Sequence, residues 1–345
     1  MTTRAPCAPV GRGLARRAGL LGTTCVLVLA VSSGCGGLAE RVSSPGATKA
    51  TPMPTILDPQ VSTPPPAPVG PSSSSEAGAA AVTLIAAGDI GRCDSTADDA
   101  TGALAASLPG VVATLGDTAY PDGTTQQLEE CFGGSWGGVK ERIRFAVTGN
   151  HDVHTDRGAP LQAYIGGAAA REGRTWFSED LGAWHVVVLD GNCGFFGDSC
   201  AGESEQVRWL RDDLATSDAR CTLVLMHQPR FSSGEHGDDG ALGAIWDALY
   251  AADAELVLAG HDHDYERFAP QAPDGTLDEE RGIVQVVVGT GGADLEAFKE
   301  AQPNSLLRIN DVHGVLELTL GADSWSFRFV DVAGVVRDSG GGSCH

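Results

Sequence analysis

The stretch Val111-Val112-Ala113-Thr114-Leu115-Gly116-Asp117-Thr118-Ala119-Tyr120-Pro121-Asp122-Gly123 decides the fold. It begins as a short, nearly unbroken apolar run and stops abruptly at a glycine and an aspartate. A run of this length without a polar face suits a strand covered on both sides. The same pattern recurs along the chain. Val82 to Ala86 leads to Asp89, Arg144 to Thr148 to Asn150, and Trp184 to Leu189 to Asp190. Thr222 to Met226 then leads to His227, and Glu255 to Ala259 to His261. Between some of these runs, apolar residues return at helical spacing: Val207, Leu210 and Leu214, then Leu242, Ile245, Trp246 and Leu249. Strands alternating with helices predict an α/β fold. After Arg281 the helices stop. Ile283 to Gly289, Val315 to Leu320, Ser324 to Val330 and a last short run near Val335-Val336 read as strands, so an antiparallel-rich half is expected beside the βα half.

In open α/β sheets, ligands bind beyond the carboxyl ends of the strands. A single aspartate at such an end is usually a turn former. Here Asp89, Asp117, Asn150, His227, His261 and His263 all fall at or just past strand ends, in segments punctuated by glycine or proline. Carboxylate, amide and imidazole donors gathered in this way suit a pair of divalent or trivalent cations. Such a pair makes hydrolysis of a charged phosphate ester feasible by screening the ester and activating water.

Five motifs occur in order: A-G-D-I-G (Ala87 to Gly91), L-G-D-T-A-Y (Leu115 to Tyr120), T-G-N-H-D (Thr148 to Asp152), L-M-H-Q-P (Leu225 to Pro229) and A-G-H-D-H-D-Y-E-R (Ala259 to Arg267). From Leu84 to Arg267 the chain resembles the calcineurin-like metallophosphoesterases, and their purple acid phosphatase branch most closely. The resemblance implies an α/β fold of the metallophosphoesterase type, a β-sandwich flanked by helices in four layers (α/β/β/α). It implies a first metal ion held by Asp89, Asp117, Tyr120 and His263, and a second held by Asp117, Asn150, His227 and His261, with Asp117 bridging. His151 would face the substrate phosphate, and His236, nine residues after His227, would stand near the leaving group. Phenolate at Tyr120 is a hard anion, so iron is expected there, with zinc, iron or manganese at the other position. The implied activity is hydrolysis of phosphate monoesters by metal-activated hydroxide. The alternatives are a phosphodiesterase acting on nucleotides or lipid headgroups, and a surface lipoprotein that binds metal or phosphate without catalysis. His261 and His263 alternate with Asp262, and an extended backbone there would point both rings to one side.

The remaining polar residues have plainer readings. His154 and His185 are expected to be structural, and Arg267 to sit in an ion pair. Asp152 and Asp264 are expected to orient neighbouring histidines. Asp190 reads as a turn former or a supporting residue. Arg92 and Arg230 either meet phosphate or are solvated, and Phe195-Phe196 either wall the mouth of the site or simply pack.

The ends of the chain bear on location. Residues 1–34 carry four arginines, no acid and the apolar segment Leu20 to Val31, the pattern of an export signal. Ser32-Ser33-Gly34-Cys35 resembles a bacterial lipobox, which implies a cell-surface lipoprotein anchored at Cys35; plain secretion is the alternative. Residues 35–81 are rich in proline and serine and read as a tether, leaving 82–345 as the folded domain. The chain of 345 residues has a formal charge of −22, and −26 once the four arginines of 1–34 are removed. Such acidity argues against a nucleic-acid partner and leaves a small phosphate ester held at a local cationic site. Beyond Cys35 six cysteines remain. They allow 15 pairings, of which Cys93–Cys131, Cys193–Cys200 and Cys221–Cys344 are the expected set in an exported protein.

Overall fold

Among the described residues there are thirteen strands, in chain order β1 (Val82–Ala87), β2 (Val111–Thr114), β3 (Ile143–Ala146), β4 (Phe177–Leu181), β5 (Trp184–Val188), β6 (Cys221–Leu225), β7 (Leu256–Ala259), β8 (Tyr265–Phe268), β9 (Val284–Val288), β10 (Ser305–Ile309), β11 (Gly314–Leu320), β12 (Ser324–Asp331) and β13 (Val336–Ser343). The main helices are α1 (Ala97–Ser107), α2 (Ala159–Ile165), α3 (Glu205–Thr216) and α4 (Gly243–Ala251). This computed structural model describes residues 80–345, except Phe196 and Asp198. The segment 1–34 expected to be an export signal, the expected lipidation site Cys35 and nearly all of the expected 35–81 tether lie outside the described residues.

The strands form two mixed sheets, ordered β13-β12-β11-β1-β2-β3 and β10-β8-β9-β7-β6-β5-β4. Parallel pairing runs through the middle of each, β1 with β2 and β2 with β3 in one sheet. In the other, β5, β6, β7 and β9 are successively parallel. Alternation of side chains along a strand sorts them into layers. Val186, Val188, Leu223, Leu225, Leu256 and Leu258 join Leu84, Ala86, Leu316, Leu318 and Phe329 in one core between the sheets. Their neighbours Val187, Leu189, Val224, Met226 and Val257 pack on the opposite face against Val207 and Leu210 of α3 and Ile245, Trp246 and Leu249 of α4. Both faces are thus covered, which is why these strands read as continuous apolar runs rather than alternating ones. The result is the expected metallophosphoesterase-type α/β sandwich with helices outside two sheets.

The tail strands correct one expectation. They do not build a separate antiparallel half. Strand β11 pairs antiparallel with β1, and β12 and β13 extend that same sheet outward. Strand β9 instead joins the second sheet, parallel to β7. Strand β13 is also longer than the short run foreseen near Val336: it includes Ser339-Gly340-Gly341-Gly342-Ser343, a poor strand sequence held against β12. A Cβ on Gly341 would lie 2.4 Å from the Trp325 carbonyl oxygen, so the close approach requires glycine.

The disulfides Cys93–Cys131, Cys193–Cys200 and Cys221–Cys344 are all formed, with Cα–Cα distances of 4.6, 5.2 and 5.4 Å. The last ties the end of β13 to the start of β6. Among the described residues, no helix is long and apolar enough to cross a membrane.

Candidate metal centre

Because β1, β2 and β3 run parallel, their carboxyl ends open at one end of the first sheet; β6 and β7 do the same in the second. Main-chain bonds lock the loops of the two sheets together. Gly88 N donates to Val288 O at 2.9 Å and Gly291 N to Gly88 O at 2.9 Å, while within the second sheet Gly260 N donates to His227 O at 2.9 Å. Asp89, Asp117 and His261 have φ of 60°, 48° and 74°. Non-glycine residues held in the left-handed region are strained, and such strain gathers at functional sites. Three residues named from the sequence as metal ligands carry it here.

The side chains converge in two overlapping sets. Tyr120 Oη lies 2.9 Å from Asp89 Oδ1, 3.2 Å from Asp117 Oδ2 and 3.0 Å from His263 Nε2. His227 Nε2 lies 3.3 Å from the same Asp117 Oδ2 and 3.1 Å from Asn150 Oδ1. The His261 ring centre is 5.0 Å from that of His227. One oxygen of Asp117 therefore sits between a carboxylate–phenol–imidazole set and an amide–imidazole set. These donors, hard oxygens mixed with imidazole nitrogens, fit a pair of metal ions.

Neighbouring groups aim the donors. His227 Nδ1 donates to the Leu115 carbonyl at 2.7 Å and His263 Nδ1 to the Asp294 carbonyl at 2.9 Å, which leaves Nε2 of each for the centre. The orienting role expected of Asp152 and Asp264 is not what they do. Asp152 accepts from Thr118 N at 3.0 Å and Gly149 N at 2.9 Å, stapling the Asp117 loop to the Asn150 loop. Neither carboxylate oxygen of buried Asp264 has a hydrogen-bond partner among the described residues. The backbone carbonyls do the orienting, a role the sequence cannot display. Nor are His261 and His263 carried on extended backbone. The positive φ of His261 breaks the alternation, so its ring turns toward His227 and His236 while that of His263 turns toward Tyr120.

Burial and mutual charge set the protonation of the metal-free site. Asp89 is pushed up to about 6 by burial. Burial also presses on Asp117, but the adjoining His227 and then His151 hold it below the usual carboxylate range. Burial works against His227 too, and the Asp117 carboxylate outweighs it, raising His227 to about 10. Burial, followed by the charges of His227 and His236, lowers His261 to about 3. Tyr120 is driven well above 10 by burial and then by the Asp89 and Asp117 charges, so its phenol keeps its proton until a cation replaces it.

His151 and His236 flank the donors. His151 Nδ1 is 2.6 Å from the Pro121 carbonyl, and its Nε2 is 4.0 Å from Asp117 Oδ2. His236 stacks on His261 with ring centres 4.1 Å apart. A cavity of about 860 Å³ opens beside Tyr120, His151 and His263, lined also by Arg92, Gln126 and Glu130. Arg92 is there, but its guanidinium is bound by Asp94 and Asp294. Arg230 is turned to the Pro273 carbonyl instead.

His154 is nearer the centre than its sequence reading allowed. Its ring lies 5.0 Å from that of His151 and 6.0 Å from Phe195, and its Nδ1 is 3.3 Å from Asp122. His185 does play the structural part expected, bridging Asp180 at 3.0 Å and Asp213 at 2.8 Å. Arg267 is in the expected ion pair, with Asp338 at 2.7 Å. Asp190 receives Thr175 Oγ1 and Asn192 Nδ2, and Asn192 Nδ2 also reaches the Thr148 carbonyl at 3.0 Å, bracing the Asn150 loop from behind.

A family model described as calcineurin-like phosphoesterase matches residues 82–265. Purple acid phosphatase 21 of Arabidopsis thaliana is 28% identical over 193 residues, covering 51% of this chain and 42% of the relative. The same plant's "Probable inactive purple acid phosphatase 27" is 25% identical over 247 residues, covering 61% and 39%. The chain thus spans less than half the length of these curated relatives. The purple acid phosphatase PPD1 from yellow lupin (Lupinus luteus) seeds shares the fold, with a TM-score of 0.67 at 19% identity over 77% of this chain and 54% of that one.

Proposed function

The chain belongs to the calcineurin-like phosphoesterases, on their purple acid phosphatase-like branch, and from that premise we propose that it hydrolyses phosphate monoesters at a pair of metal ions. The observation that carries the proposal is the sharing of Asp117 Oδ2 between Tyr120 Oη at 3.2 Å and His227 Nε2 at 3.3 Å. Asp89, Asp117, Tyr120 and His263 would hold iron, since a buried phenol surrounded by carboxylates suits a highly charged cation. Asp117, Asn150, His227 and His261 would hold zinc, iron or manganese. When bound, the ions supply Lewis-acid charge to the phosphoryl oxygens and lower the pKa of water.

The chain's own residues do the rest. His151, fixed by the Pro121 carbonyl and close to Asp117, meets the phosphate. His236, or else His151, gives a proton to the leaving oxygen. The 860 Å³ cavity beside Tyr120 receives the organic part of the ester. With Arg92 neutralised by Asp94 and Asp294, that cavity offers no free cation for a second phosphate among its described residues, which favours monoesters over nucleotide polyphosphates.

The protein is proposed to act after export, held at the cell surface by lipid on Cys35 or else secreted. The pairing of Cys93, Cys131, Cys193, Cys200, Cys221 and Cys344 supports an oxidising location. Its partner is a small phosphate ester, with membrane contact only through the N-terminal anchor. The test uses Asp117→Asn and His261→Ala. Each should abolish hydrolysis of an aryl phosphate while far-UV circular dichroism stays that of a folded protein, and retained turnover in either contradicts the assignment.

A further inference from the structure

Asp262 stands between two residues of the metal centre, yet its carboxylate turns away from them. It is completely buried. Its Oδ1 accepts from the backbone nitrogen of His236 at 2.7 Å and from His236 Nδ1 at 3.0 Å. Its Oδ2 accepts from Ser232 Oγ, which in turn accepts from Gly234 N at 2.9 Å. The segment Ser232-Ser233-Gly234-Glu235-His236 is therefore folded over this one carboxylate. Gly234 permits the approach, since a Cβ there would come within 2.4 Å of Asp262 Cγ. On its face, the His236 ring rests against His261 at 4.1 Å with a 31° tilt.

We infer that Asp262 is the positioning residue for His236, fixing the ring so that Nε2 addresses the leaving group of a phosphate monoester. The inference rests on the phosphatase reading above. Two restraints act on the ring: its face is set by His261 and its Nδ1 by Asp262. Nε2 is left as the ring nitrogen with no partner among the described residues, on a side chain that is 45% exposed. Because Asp262 lies between His261 and His263 in sequence, it also sets the distance from the metal-holding loop to that nitrogen. In the step it serves, an oxygen from water bonds to phosphorus and the bond from phosphorus to the leaving oxygen breaks. The leaving oxygen keeps the electron pair and takes the Nε2 proton, and the attacking water's proton passes to bulk solvent. A proton donor held at one place is worth most where the leaving oxygen is a poor one.

The experiment compares Asp262→Asn, His236→Ala and the double variant on two esters, glycerol phosphate and 2,4-dinitrophenyl phosphate. For Asp262→Asn, kcat on glycerol phosphate should fall by about 10- to 100-fold with KM unchanged, while kcat on the dinitrophenyl ester stays within about twofold. Adding Asp262→Asn to His236→Ala should cause no further loss, and metal content should match the wild type. Equal losses on both esters, a further loss in the His236→Ala background, or depleted metal would each overturn the inference, because Asp262 would then act on the metal loop and not through His236. A metal-loaded wild type inactive on every ester would sink the phosphatase reading instead. The ring placement is then read from the downfield Nδ1 proton resonance of His236, which Asp262→Asn should abolish and whose persistence would refute it.

Discussion

Loading metal into the stripped protein should release protons, and the groups that lose them can be named. In the metal-free site Nε2 of His227, whose pKa is raised to about 10, and Oη of Tyr120, driven well above 10, carry protons at pH 8. Asp89, at about 6, and Asp117 are already ionised at that pH, and His261, at about 3, is already neutral. Each ion therefore displaces one proton, from Tyr120 at the first position and from His227 at the second. For a pKa of about 10, removing the His227 proton costs about 4 kcal/mol at pH 7 and about 1.4 kcal/mol at pH 9. Affinity for zinc at the second position should thus rise about tenfold per pH unit across that range. Calorimetric titration of the stripped protein with zinc, in buffers of different ionisation enthalpy, counts the protons directly. Release near one per zinc, with affinity climbing from pH 7 to 9, is the expected result. Affinity independent of pH, or no proton release, would refute the placement of His227 beside Asp117 as a protonated pair awaiting metal.

Three other perturbations follow from the same contacts. A Cβ at Gly149 would lie 2.1 Å from Asp117 Oδ1 and 2.3 Å from Asp117 N, so Gly149→Ala should displace the shared carboxylate. The expected loss is about 1–3 kcal/mol in urea unfolding together with bound metal, and full metal retention would contradict it. From loop length, removing Cys221–Cys344 should cost about 5 kcal/mol, Cys93–Cys131 about 4 and Cys193–Cys200 about 2, for sequence separations of 123, 38 and 7. Urea unfolding of paired Cys→Ala variants checks the order, and a reversed order would rule out the loop-entropy account. Burial works against a charged His185, but Asp213 and Asp180 prevail and raise its pKa above 6.5. Its stabilisation is then complete below pH 6.5 and is lost as pH rises through the folded-state value. His185→Gln should accordingly flatten the decline in melting temperature above pH 6.5, and an unchanged decline would show that this bridge is not its source.

The parts of the fold that were legible in sequence are those where one local signal sufficed. Parallel strands buried on both faces, such as β5 and β6, are apolar throughout, and Asp89, Asp117, Asn150, His227 and His261 interrupt such runs at their ends. Strand β8 escaped because its polar residues find distant partners. Glu266 is satisfied by Ser233 and Ser305, and Arg267 by Asp338, so burial there is invisible in the segment Tyr265-Glu266-Arg267-Phe268 itself. Strands β4 and β10 are only partly buried and carry no long apolar run. Glycines hid β13, whose strand state depends on β12 alongside it and on the Cys221–Cys344 bond. Within the centre, residue types were readable but directions were not. The φ of 74° at His261 and the turn that brings His154 against His151 are backbone geometry that residue types do not display, and the Leu115 and Asp294 carbonyls behind His227 and His263 come from segments distant in the chain.

The most direct test is elemental analysis of the purified, metal-reconstituted protein beside its Asp117→Asn variant. Two ions per wild-type chain, with both sites weakened when the shared carboxylate is lost, is the expected result. A wild type that binds one ion or none, or a variant that still binds two tightly, would contradict a centre built around Asp117.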